Sequence, residues 1–513
     1  MNGPLRVPAT ERIQHLLLEA DSRQLRDEIQ DLPYVDIPSA LALAHRRLHG
    51  FNRFVIPPAK RLQLVSPFHY AFVRFVEHYR NQLGGNLFAK EIRSEELDQL
   101  LDFIQELAFA YKHIIRDTLA RNKRPAGFAT VLYMAMLYQY YHGLISYNRS
   151  RMLKRFHWRE FHYLYFLADG INQEHLLVTD PAGGEGSVVS LYKQSILLGL
   201  ACPYTLRAED QWRTHEYCAR FAPLVQLEPA QSPDALADSY FVTAECRHPA
   251  HIPGASPEPG TQAWLLDLSP LLDKVCRHLA AIRAGEVPRV SALQQLPRRR
   301  ASQLLETLYQ NWSRNTQRLA PRREIDEQIG LVWGLETICG MLDPTQRRRS
   351  GAPEPTQGRD KRAWCRGSDE SDSGIRVRLT GPPDQFPDPG QVVALIRQRP
   401  RGKVLELGLV RWAAISNDDA PQCGILRLVG NVNPVSLRAG EEQATERNAL
   451  LIVQRAAGNR LSPRLLAPAS LLKRHGEITL TSPDHHQPLL AQLQEPLQST
   501  HHVELFAIRL LEE

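Results

Sequence analysis

Along the first two-thirds of the chain, apolar positions recur every three or four residues, whereas beyond about residue 370 they alternate with polar ones. In SEELDQLLDFIQELAFAYKHI, residues 94–114, the set Leu97, Leu100, Leu101, Ile104, Leu107, Ala108 and Tyr111 lines one helical face, and Glu95 and Glu96 stand in the first turn where they favour the helix dipole. The pattern is helical from about 60 to 225. Further helices are predicted over 127–148, 151–168, 186–200 and 209–222, separated by proline and glycine clusters. A break near 226–268 holds two short strand patterns, SYFVTAEC and AWLLDLS, around a proline-rich loop. Helix resumes in LLDKVCRHLAAIRAG and is predicted again near 290–312 and 324–342. At 343–362 the composition turns to Pro, Gly, Gln and Arg, the signature of a linker. Beyond it GIRVRL, GQVVALIR, KVLELGLVRWA and CGILRLVG are short, branched and apolar, and regularly spaced, as a small antiparallel barrel requires. NALLIVQRA, GEITLTS and VELFAIRLL continue the β pattern to the end.

The predicted organisation is therefore an α+β multidomain chain. A mainly α-helical domain over 1–342, with the β and loop insertion near 226–268, is followed by the 343–362 linker. A β-barrel over 363–440 and a β-rich extension over 441–513 complete it. A length of 513 residues accommodates several domains of about 150 residues each. The uncharged segment 127–147 is long enough to span a bilayer, but Gln139, His142 and five tyrosines among charged amphipathic neighbours favour a buried central helix.

The formal charge of +6 is small for this length and excludes little by itself; its placement matters more, since a net +5 falls between Arg347 and Arg366. Seven cysteines lie singly with no paired spacing, which reads as reduced thiols, and the start of the chain has no apolar signal core, so a cytoplasmic location is expected. CRHPAH (Cys246, His248, His251) has no second ligand cluster. His157 and His162 in FHWREFH miss the four-residue spacing of a zinc-binding helix. Neither predicts a metal. No phosphate-binding glycine loop or nucleophile elbow occurs, and neither an enzyme nor a cofactor is expected.

The candidate chemistry lies where the charged stretch meets the β pattern. Asp369, Ser371 and Gly374 stand in the order D-x-S-x-x-G, behind Arg347, Arg348 and Arg349, and ahead of Gly408-Leu409-Val410-Arg411-Trp412 and Gly424-Ile425. Taken as chemistry alone, short polar side chains beside a glycine make either an ordinary turn or a seat for a small polar ligand. Over about 345–440 these residues together resemble a PilZ domain, the bacterial receptor module for cyclic di-GMP. The helical part is similar to uncharacterised bacterial proteins that carry such a module at their carboxy end. The resemblance implies a barrel whose D-x-S-x-x-G turn receives the nucleotide and whose arginines close over it. It also implies an R-x-x-x-R motif roughly twenty residues ahead of that turn, where this chain has the contiguous triplet Arg347 to Arg349. A literal match, Arg362-Ala363-Trp364-Cys365-Arg366, lies so close to Asp369 that it belongs with the first strand.

Arginine suits such a ligand, because its planar fork can pair with a guanine edge, stack on a purine or bind phosphate. The expected function is a cyclic di-GMP receptor in which binding alters the disposition or the protein partner of the helical domain. The partner itself is unnamed, and neither DNA nor RNA is expected. The alternative is a nucleotide-free PilZ-like scaffold for protein interaction.

Overall fold

The computed structural model describes residues 5–11, 22–83, 94–121, 127–258, 260–313, 321–343, 362–380, 386–400, 402–439, 446–455, 461–472, 476–482 and 485–511. The chain forms two compact units, Met1–Gln317 and Arg318–Glu513. The first is helical and the second holds antiparallel β-barrels, the mixed α+β architecture expected from the change in apolar period.

The first unit contains α1 (Ser22–Gln30), α2 (Ile37–Asn52), α3 (Pro58–Val65), α4 (Phe68–Leu83), α5 (Ser94–Ala120), α6 (Phe128–Asn148), α7 (Arg155–Asp169), α8 (Val188–Leu200), α9 (Ala208–Phe221), α10 (Ser269–Arg283), α11 (Ser291–Gln294) and α12 (Arg298–Ser313). A hairpin, β1 (Val178–Thr179) with β2 (Glu185–Gly186), and a small sheet of β3 (Gln226–Pro229), β5 (Ala263–Asp267) and β4 (Tyr240–Thr243) decorate it. Helix α6 is apolar all round, so no face of it can be left to water; α5, α7, α8 and α9 surround it, and its side chains from Phe128 to Tyr140 are nearly all buried. The uncharged segment is thus the centre of a helical core, and among the described residues no helix is long and apolar enough to cross a membrane. Helices α1 and α2 precede the region where the sequence pattern is read as helical. Both are amphipathic, and α2 starts from an Asp36 cap whose carboxylate accepts from Ser39.

The second unit opens with β6 (Arg323–Glu324), β7 (Gln328–Trp333) and α13 (Leu335–Leu342). The expected helix over 324–342 is therefore half strand. β7 pairs with two barrel strands, and Gly334, at φ +91°, turns the chain from strand into helix. Hydrogen-bonded partners pull Ile329 to Trp333 into a sheet that local periodicity does not reveal. The compact unit accordingly begins ahead of these elements and not at 343.

The remaining strands are β8 (Arg362–Ser371), β9 (Gly374–Leu379), β10 (Val392–Arg399), β11 (Gly402–Ile415), β12 (Pro421–Leu428), β13 (Asn431–Ala439), β14 (Arg447–Arg455), β15 (Leu461–Pro468), β16 (Glu477–Ser482), β17 (His485–Ser499) and β18 (Val503–Leu510). In the first barrel the order is β8-β7-β10-β11-β12-β9, closed by pairing of β9 with β8, and β6 adds to the end of β8. Ile329, Leu331, Val377, Leu395 and Ile425 fill it. The carboxy-terminal β extension is itself a closed barrel, β13-β14-β15-β18-β17-β16, filled by Val435, Leu437, Leu465, Leu480 and Phe506. A third apolar cluster, with Ile338 and Cys339 of α13 between Val392, Leu407, Leu450 and Leu466, joins the two barrels. Closure leaves neither barrel a long exposed edge.

The core of the helical unit also holds neutral histidines. Burial depresses the imidazoles of His162 to about 4 and of His113 to about 3, the latter helped by Arg61 and Arg116, and holds His157 well below its ordinary value. An unfolded histidine takes up its proton near 6.5, so between about 6.5 and 4 the unfolded chain binds more protons than the folded one. Stability of the helical unit is expected to change little between about pH 7 and 8 and to fall as the pH drops from about 6.5 towards 4. Thermal unfolding followed by circular dichroism at 222 nm across that range checks this, and a flat profile contradicts it.

Candidate functional site

The D-x-S-x-x-G sequence forms a β-hairpin corner. Ser371 ends β8, Gly374 begins β9, and Asp372-Ser373 make the two-residue turn. Gly367 pairs with Val377 but Asp369 pairs with Arg376, so Ser368 is an extra residue on β8. Side chains alternate across a strand, and this bulge inverts the alternation. Gly367 faces inward, and in an unbroken strand Asp369 would as well. The bulge instead sends Asp369 to the outer face opposite Arg376 and turns Glu370 inward opposite Ile375, where it is buried.

Two acids on adjacent residues therefore collect two sets of guanidiniums. Asp369 receives Arg322 on Oδ1 and Arg376 on Oδ2, the latter at 2.7 Å. Glu370 accepts from Arg323 on Oε1, and on Oε2 from Arg397 Nη1 at 2.8 Å and Arg427 Nη2 at 2.5 Å. Although burial opposes ionisation, these three arginines hold the Glu370 carboxyl down at about 2. Arg427 also donates from Nη1 to the Ser371 carbonyl at 2.9 Å, and its backbone N–H donates to the Ser373 carbonyl at 2.9 Å. Arg397, almost fully buried, additionally pairs with Glu327 and, at 3.6 Å, with Glu406, while Arg399 lies 3.5 Å from Glu327. Six guanidiniums thus pair with four carboxylates among the described residues of this corner, and Asp372 in the turn and Glu324 opposite Asp369 add two more acids.

Ser371 and Gly374 play different parts. The Ser371 hydroxyl makes only long contacts, 3.4 Å to Ser373 Oγ and 3.5 Å to the Gly374 carbonyl, and so can exchange them at little cost. Gly374 does not use the left-handed backbone region; its need is space. A Cβ there would stand 2.8 Å from the Ile425 carbonyl oxygen and 3.9 Å from Arg322 Nη2. Trp412 pairs with Gly424 and lays its half-buried indole over that glycine, as a barrel-wall aromatic.

Arg347, Arg348 and Arg349 lie outside the described residues. Arg362 and Arg366 are on β8, and Arg366 pairs with the exposed Asp326. Arg322, Arg323, Arg376, Arg397 and Arg427 all stand at the corner, although sequence reasoning singled out none of them. One signal was present: Arg318-Leu319-Ala320-Pro321-Arg322 reads R-x-x-x-R, at a longer distance from Asp369 than the resemblance implies, and Arg318 itself is outside the described residues. Of the residues weighed for metal, His162 instead hydrogen-bonds Tyr192 Oη at 2.6 Å and His251 stacks on Phe241, while Cys246 Sγ donates to the His248 carbonyl at 3.3 Å.

Residues 23–233, less than half of the chain and all within the helical unit, match the family described as "Cyclic-di-GMP receptor FimW, N-terminal domain". No curated protein matches the chain.

Gly374→Ala drives a methyl group against the backbone of β12, which cannot retreat without opening the barrel. It is expected to cost about 1–3 kcal/mol, read as a lower urea midpoint for the β-unit. Glu370→Ala is expected to cost about 3–5 kcal/mol, since it strips a buried arginine and two others of their shared carboxylate; a neutral effect in the same assay would contradict the ion-pair reading.

Proposed function

We propose that this protein is a cyclic di-GMP receptor whose ligand is held on the β8–β9 corner of the first barrel, a binding protein and not a catalyst. One observation carries the reading: six guanidiniums converge on the corner Asp369-x-Ser371-x-x-Gly374. A ligand with two phosphates and two guanines fits such a cluster. Phosphates can pair with these guanidiniums, and Arg322 and Arg323 on the strap ahead of β7 can turn their planar forks from Asp369 and Glu370 onto a guanine edge or a phosphate. Asp369, once released, accepts from guanine N–H groups, the loosely held Ser371 hydroxyl exchanges its long contacts for the ligand, and Gly374 keeps the approach open. The match of residues 23–233 to the amino-terminal domain of a cyclic di-GMP receptor family supports the same ligand class from the other unit. Arg347, Arg348 and Arg349 belong to the proposed grip through the sequence resemblance alone. The consequence of binding is a changed disposition or protein partner of the helical unit, because a dianionic ligand favours whichever state brings the most guanidiniums to it.

A second reading, the nucleotide-free scaffold, is favoured by the fact that both Asp369 oxygens already carry arginines. Calorimetric titration of the full chain with cyclic di-GMP separates the two. The receptor predicts saturable heat with micromolar ligand, weakened about ten- to hundredfold by Arg322→Ala or Arg323→Ala. Unchanged affinity after alanine replacement of Arg347 to Arg349 removes that triplet from the site. No heat on monodisperse protein leaves the scaffold.

A further inference from the structure

In the helical unit, α2 and α5 pack together, and each presents a pair of metal-capable side chains one turn apart: His45 and His49 on α2, Asp102 and Glu106 on α5. Four-residue spacing puts both members of each pair on the same face of its helix. His49 Nδ1 is 3.0 Å from Glu106 Oε1, and the two imidazole centroids are 5.7 Å apart. One ligand atom each from His45, His49 and Glu106 falls within 4.8 Å of the others. A cleft of about 410 Å³, lined by Ala42, His45, Arg46, His49, Gln99 and Asp102, leads to the cluster from solvent.

Glu106 is positioned from behind. Its Oε2 accepts from Asn52 Nδ2 at 2.7 Å and from Arg53 Nη1 at 3.2 Å, and Asn52 Nδ2 also reaches the Glu106 carbonyl at 2.7 Å. This leaves Oε1 turned towards the histidines, the outer-sphere arrangement that orients a ligating carboxylate. Arg53 Nη2 stands 2.8 Å from Oε1 and 3.2 Å from His49 Nδ1, where it neutralises the buried acid.

The geometry points to a zinc-type divalent metal site in which His45, His49 and Glu106 Oε1 are ligands, Asp102 supplies the second carboxylate, and the ion clips α2 to α5. Two imidazoles with carboxylate oxygens match the donor preference of zinc. On loading, Arg53 gives up Oε1 and keeps Oε2. None of this rests on nucleotide binding at the barrel.

Chelator-treated full-length protein titrated with zinc by calorimetry, and with cobalt(II) by visible absorption, tests it. One equivalent should bind, cobalt should show ligand-field bands without a thiolate charge-transfer band, and zinc should raise the melting temperature. The double variant His45→Ala/His49→Ala, whose side chains are partly exposed, should weaken binding by at least about tenfold while circular dichroism is retained. Asp102→Asn, close in shape, should also weaken it and serves if the double variant fails to fold. Absence of a stoichiometric isotherm with wild-type protein, or undiminished binding in both variants, overturns the assignment.

Discussion

The corner of the first barrel depends on a single buried carboxylate. Glu370 is nearly inaccessible to water, and an isolated charge there would cost several kcal/mol; it is tolerable because Arg323, Arg397 and Arg427 reach it from three other strands. The same pairing makes Arg397 tolerable in the barrel wall, with Glu327 and Glu406 sharing it. Removal of Glu370 strips the buried Arg397, and with it Arg323 and Arg427, of a carboxylate partner, so the network ties β6, β8, β10 and β12 around the hairpin turn. Asp369 then points outward with little freedom, since the residue beside it is anchored and the bulge at Ser368 sets its direction. A corner built on such an anchor has its geometry set by the fold itself.

A different economy operates in the helical unit. Its centre is a helix without charge, wrapped by partners on all sides, and the polar atoms it brings in are largely absorbed pairwise: His69 with Tyr138, Tyr140 with His215, Gln139 with the His157 carbonyl. The buried Lys112–Glu160 pair, at 2.8 Å, follows the same rule. At the α2–α5 face, by contrast, His45, His49 and Asp102 open onto a solvent cleft.

The two units differ in the kind of surface each exposes. The barrel corner offers a cluster of guanidiniums, whereas the α2–α5 face offers imidazoles and carboxylates.

Much of this was legible in the residues alone. The period of the apolar pattern distinguished helix from strand for α5 to α9 and for most barrel strands, because amphipathic packing on a single core writes its geometry locally. The order Asp369-x-Ser371-x-x-Gly374 marked the corner. Local pattern failed where pairing across the chain decided the outcome. Residues 328–333 became a strand because β8 and β10 flank them, and Arg322 and Arg323 met Asp369 and Glu370 because β6 lies along β8. Similarly, His45 and His49 gained meaning only when α5 placed a carboxylate opposite. Periodicity and turn chemistry are properties of neighbouring residues, and the sequence alone determined those. Which distant charges share a site is settled by strand register and helix contact, and only the tertiary structure decided that.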